Sequence, residues 1–113
     1  MIVRDLVDLI KATVINEGNN FEKTITGCYI GDLLSWVMSN AEEGNIWITI
    51  MSNVNVAAVA KLTDVACVLM CENVSPDDDC FQRAKEQGVT ILKTKLSAYQ
   101  AAVEVGKHYE AVL

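Results

Sequence analysis

A cysteine nucleophile needs a histidine base beside it, and this chain has one histidine, His108, far in sequence from Cys28. Cys28 is the thiol best placed for reactivity, because it ends a short apolar run ahead of a helix whose N-terminus would lower its pKa. Nothing in the sequence draws His108 toward it, so packing outweighs catalysis. Cys67, Cys71 and Cys80 lack paired Cys-x-x-Cys spacing, and Cys67 falls within a strand as a small core residue. Asp77, Asp78 and Asp79 are consecutive, so a helix would point them to different faces. They read as acids complementing the positive end of a helix dipole. The run Gly27-Cys28-Tyr29-Ile30-Gly31-Asp32 has neither the spacing nor the lysine of a P-loop, and no Gly-x-Gly-x-x-Gly fingerprint occurs. No catalytic residue, metal ligand or cofactor is assigned.

Binding is the chemistry that survives. Four short apolar runs end in small or polar residues and lead into helix-like segments, at Thr26-Gly27-Cys28-Tyr29, Met51-Ser52-Asn53, Cys71-Glu72-Asn73 and Lys93-Thr94-Lys95. In a β-α-β-α chain such junctions are expected at the carboxyl ends of parallel strands, where helix N-termini and unpaired N–H groups gather ligands. Gly27 would let the backbone approach a ligand closely, and Tyr29 would stack on a base. Ser52 and Asn53 would offer hydrogen bonds at a helix start, and Lys93, Thr94 and Lys95 would meet phosphate. Each has a structural alternative of similar weight: a turn, an interface, a cap or a solvated surface. Together on one face, Gly27, Cys28, Tyr29, Ser52, Asn53, Lys93, Thr94 and Lys95 form the candidate ligand site.

The elements that must position them follow from periodicity. Val3, Leu6, Val7, Leu9 and Ile10 recur at helical spacing with charges opposite, giving a first amphipathic helix over 3–12. A short strand over 13–16 precedes a turn-rich cluster, and 23–28 reads as the next strand. Asp32 is the expected cap of a helix carrying Trp36 and Met38, which read as core or dimer-interface residues. Residues 46–51 and 65–70 are apolar on both faces, the mark of central parallel strands. Asn53 or Ser52 caps a short alanine-rich helix over 54–62. Ser75-Pro76 opens a helix that runs to about Gln87 and stops at Gly88. Residues 89–92 form the last strand, and Ser97 with Gln100 makes a capping box for the closing helix. Strands alternating with helices predict an α/β fold of three layers, a mostly parallel sheet flanked by helices.

The bulk numbers narrow the function further. With 113 residues the chain is expected to be one domain, 1–113. A formal charge of −6 and nine scattered basic residues argue against nucleic acid. No segment reaches the roughly 18 apolar residues of a membrane span, and an early acid, Asp5, argues against a signal peptide. The expected compartment is the cytoplasm, with the cysteines as thiols.

Two segments carry a resemblance. Ile25-Thr26-Gly27-Cys28-Tyr29-Ile30-Gly31-Asp32-Leu33-Leu34-Ser35 and Trp47-Ile48-Thr49-Ile50-Met51-Ser52-Asn53-Val54-Asn55-Val56-Ala57-Ala58-Val59-Ala60 resemble the DRTGG domain. Gly88-Val89-Thr90-Ile91-Leu92 with Thr94-Lys95-Leu96-Ser97-Ala98-Tyr99 resembles that domain's ending, so the likeness spans about 1–105. It implies a fold similar to the N-terminal domain of HPr kinase/phosphorylase and a regulatory or dimerisation module without catalysis of its own. In regulated pyrophosphatases the family accompanies adenine-nucleotide regulation and helps form the dimer. Some stand-alone relatives are encoded near iron-only hydrogenase components, which implies a redox or signalling partner. Where an Asp-Arg-Thr-like segment would follow the central strand, this chain has Ser52-Asn53-Val54-Asn55.

The expectation is thus a non-catalytic, homodimeric regulatory module that takes a small anionic ligand or nucleotide at the strand ends. The alternative is a pure protein–protein adaptor, with a redox enzyme as its partner and no small ligand.

Overall fold

The computed structural model describes residues 1–108. Ten elements alternate along it: α1 (Val3–Ile10), β1 (Thr13–Asn16), β2 (Gly27–Ile30), α2 (Leu34–Asn40), β3 (Asn45–Thr49), α3 (Val54–Thr63), β4 (Cys67–Met70), α4 (Asp78–Gln87), β5 (Ile91–Lys93) and α5 (Ala98–Gly106). The strands form one sheet in the order β1-β5-β4-β3-β2. β2 to β5 are parallel, and β1 closes the β5 edge antiparallel, with Thr13 opposite Lys93.

The doubly apolar strands sit at the centre, as their composition requires. All of β3 and β4 is buried, and alternate side chains serve opposite layers. Ile46, Ile48, Cys67, Leu69 and Leu92 pack with Val3, Leu6 and Ile10 of α1 and Ala101 and Val105 of α5. Trp47, Val68, Met70 and Ile91 pack with Val37 of α2, Val56, Ala57 and Ala60 of α3, and Cys80 and Ala84 of α4. The three layers are those expected.

Several local signals hold. Asn53 caps α3, its side chain accepting from the Asn55 N–H at 2.9 Å. Gly88 ends α4 at φ 70°, the left-handed conformation that a glycine adopts without cost. Ser97 and Gln100 form the capping box of α5.

The first helix ends at Ile10, β3 spans Asn45–Thr49, β4 starts at Cys67 and β5 is Ile91–Lys93, each within two residues of expectation, and three further differences bear on the site. The strand expected over 23–28 enters the sheet only at Gly27. The residues before it pair with the N-terminus instead: the Ile25 N–H donates to the Met1 carbonyl at 2.9 Å, and Thr24 bridges Ile2. Asp32 does not cap α2, whose N-cap is Leu33 without a side-chain bond. Asp32 instead reaches across the sheet end, accepting from Thr49 Oγ1 at 2.7 Å and from the Ile50 N–H at 3.1 Å. Ser75 does not cap α4 either. Asp77 does, accepting from the Cys80 N–H at 2.8 Å, and Ser75 is left to accept from Lys93 Nζ at 2.7 Å.

Candidate functional site

The carboxyl ends of β2 to β5 share one face of the molecule. The β4–α4 connection lies across it, held at both ends. On the β3 side the Asp77 N–H donates to the Ser52 carbonyl at 2.9 Å, and on the β5 side Lys93 holds Ser75. At the start of the connection, also on the β5 side, the Glu72 and Asn73 N–H groups donate to the carbonyls of Leu96 and Thr94, each at 2.9 Å. Both residues are left-handed, at φ 57° and 61°. Asparagine tolerates that conformation and glutamate does so at a cost, so the backbone bonds are what hold the turn.

Beside this connection, at the β1–β5 edge, a cleft of about 440 Å³ is lined by Ile10, Lys11, Thr13, Asn73, Lys93, Thr94, Lys95 and Leu96. Lys93, Thr94 and Lys95 are therefore brought together as expected. Thr94 is buried, and its hydroxyl accepts from the Leu96 N–H at 3.2 Å, so it shapes the floor. Lys11 and Asn73 were not among the candidate residues. Asn73 carried a signal, since it ends the Cys71-Glu72-Asn73 junction. Lys11 carried none: it looked like the polar side of α1, and only the return of β1 alongside β5 brings it to the cleft.

The other candidates lie elsewhere. Ser52 and Asn53 are on the same face but follow β3, two strand spacings or about 10 Å from β5, and are engaged in the loop contact and the α3 cap. Gly27 and Cys28 stand opposite Asn45 and Ile46, at the beginning of their strands, so both belong to the opposite end of the sheet. The shifted start of β2 is the physical reason. The Tyr29 ring packs against the α2–α4 side of the core. It lies over Gly31, where an added Cβ would come within 3.0 Å of the ring. The ring is thereby engaged in packing.

Cys28 also departs from the expected activation. Part of the residue remains exposed, yet its apolar surroundings push the thiol up to about 11, with Cys71 adding to the effect. The helix that follows β2 begins only at Leu34, beyond the opposite end of the strand from Cys28. His108 lines a separate cleft with Met1, Asp5, Asp8 and Leu9. Burial likewise raises Cys71 to about 11 and Cys67 and Cys80 above the ordinary thiol range. Iodoacetamide labelling of Cys28 at pH 7.5 is expected to run about 20-fold slower than that of a free thiol, after allowing for the greater nucleophilicity of a more basic thiolate. The rate should climb roughly tenfold per pH unit up to about pH 10. Rapid labelling at neutral pH, read by mass spectrometry, would restore the reactive-thiol reading.

The far edge of the sheet is apolar. β2 is an edge strand with Cys28 and Ile30 exposed, and Ile30, Leu33, Trp36 and Ile50 are 50%, 59%, 62% and 49% exposed. Trp36 and Met38 are thus not core residues.

Fold and site together define an α/β domain whose strand ends carry a lysine-lined cleft. The chain belongs to the DRTGG domain family, whose model matches residues 5–107. It is similar in structure to the CBS and DRTGG domains of the regulatory region of Clostridium perfringens pyrophosphatase, complexed with the activator diadenosine tetraphosphate. The TM-score is 0.71 at 14% identity, over 89% of this chain and 44% of that one, so this chain spans less than half of that length. At such identity the likeness is one of fold. No curated protein matches the chain.

Proposed function

We propose that this chain is a single-domain, non-catalytic regulatory module of the cytoplasm that binds a small anion or nucleotide at its strand ends and acts as a homodimer. The observation that carries the reading is the cleft at Lys93 and Lys95, which concentrates cations on a protein of formal charge −6. A fold shared with part of a regulatory region whose structure holds a nucleotide activator supports it. Lys93, Thr94, Lys95, Lys11 and Asn73 form the binding surface, while Ser52 and Asn53 shape the same face. Thermal unfolding against nucleotides and phosphometabolites tests it. A ligand at 100 times its Kd should add about 2.7 kcal/mol of stability. Silence across the panel would reject the ligand and leave the second reading, an adaptor that docks an enzyme, including a redox enzyme, through the apolar β2 edge.

A further inference from the structure

We infer that the cleft is a polyphosphate subsite, which reads the phosphate chain of its ligand and not a base. The inference rests on the anion-binding reading above and adds the chemical class and the residues that select it.

Three of the nine basic residues reach this one cleft from separate segments: Lys11 from the end of α1, Lys93 from β5 and Lys95 from the connection to α5. No carboxylate is among the lining residues. The ion pairs among the described residues are elsewhere, at Arg4–Glu22, Lys23–Asp64 and Lys107–Glu104. The Lys93 ammonium donates to neutral Ser75. Lysines from three segments on a cleft whose lining holds no carboxylate suit a multivalent anion, which can accept from each of them.

The walls are set in advance. Lys11 sits in the left-handed region at φ 51° as the C-cap of α1, its N–H donating to the Val7 carbonyl. Asn73 is fixed from behind by the Thr94 carbonyl, which leaves its side-chain amide directed by the turn rather than consumed by it. Such preorganisation lowers the ordering cost of binding. The cleft's volume of about 440 Å³ exceeds what a single phosphate with a few waters, at about 30 Å³ per water, would fill. It suits a chain of two or three phosphates. No aromatic ring lines it, and Ile10 and Leu96 are its only large apolar residues. A purine would find no stacking platform, whereas phosphate oxygens would find lysines from three segments of the chain.

Calorimetric titration of the full chain with sodium tripolyphosphate, ATP and adenosine, at fixed ionic strength, is the test. Tripolyphosphate and ATP are expected to bind within about threefold of each other and adenosine not at all, because the shared phosphate chain supplies the charge-assisted bonds. Lys11→Asn, which keeps a residue tolerant of the left-handed conformation, and Lys95→Gln should each weaken both ligands about tenfold. Both positions are exposed, so the ligand-free melting temperature should not move. ATP binding more than tenfold tighter than tripolyphosphate would overturn the inference and leave the nucleotide reading standing. Binding that survives both substitutions would also overturn it, by placing the site elsewhere. No binding of either anion would remove the inference and the anion reading together.

Discussion

Trp47→Ala is expected to cost about 3–5 kcal/mol, the range for emptying a buried large aromatic site, and to lower the melting temperature by on the order of 15 °C or more. Trp47 is fully buried in the middle of β3, packed among the side chains that join α2, α3 and α4 to the sheet. It is also a polar tie: its indole N–H donates to the Gly31 carbonyl at 2.9 Å, fastening the exit of β2 to the central strand. Trp47→Phe separates the two contributions, since it keeps most of the apolar volume and removes the donor. Its cost should be about 1–3 kcal/mol, that of leaving a partly buried carbonyl without its partner. Urea unfolding of the three proteins measures both. Equal stability of the Phe variant and the parent would show that the Gly31 bond contributes nothing. Against a total of about 5–15 kcal/mol for a domain, the alanine variant stands near the edge of folding.

If the β2 edge forms the proposed homodimer, the double variant Ile30→Lys, Trp36→Glu is expected to elute as a monomer. Among the described residues β2 pairs with β3 alone, and its outward edge has no proline or lysine to discourage a second strand. Leu33 and Trp36 extend that edge with apolar surface. A tryptophan at the centre of an interface contributes about 2 kcal/mol or more on truncation, equivalent to about 30-fold in Kd. A buried unpaired charge adds a further penalty. Light scattering on eluting samples reads the mass directly, and circular dichroism checks that the fold persists. Both substituted residues are largely exposed, so the folded monomer should lose little stability. A parent protein that elutes as a monomer, or a variant that stays dimeric, would remove the β2 edge from the dimer reading.

Much of this molecule was legible in one dimension because its signals are local. Hydrophobic runs without polar alternation marked β3 and β4 as doubly buried, and the sheet order places both inside. Asn53, Gly88, Ser97 and Gln100 announced their caps through bonds spanning two to four residues, which a sequence displays in full. Where a nearer competitor existed, the reading slipped. Pro76 drew the α4 cap toward Ser75, although Asp77 had the side chain in position to accept from Cys80. Asp32 looked like a cap only while Thr49 and the Ile50 N–H, a strand away, were out of view.

Local patterning is enough to specify the class of fold, the identity of its central strands and the Lys93-Thr94-Lys95 corner of the candidate site. Tertiary structure decided which chemistry shares a cleft. Pairing of 23–25 with the N-terminus moved the start of β2, and with it sent Gly27 and Cys28 to the far end of the sheet. The antiparallel return of β1 beside β5 carried Lys11 to Lys93 and Lys95. Both outcomes depend on hydrogen bonds between segments distant in sequence. No local propensity encodes such partners; they are selected only when the whole sheet forms and every strand has to find a neighbour.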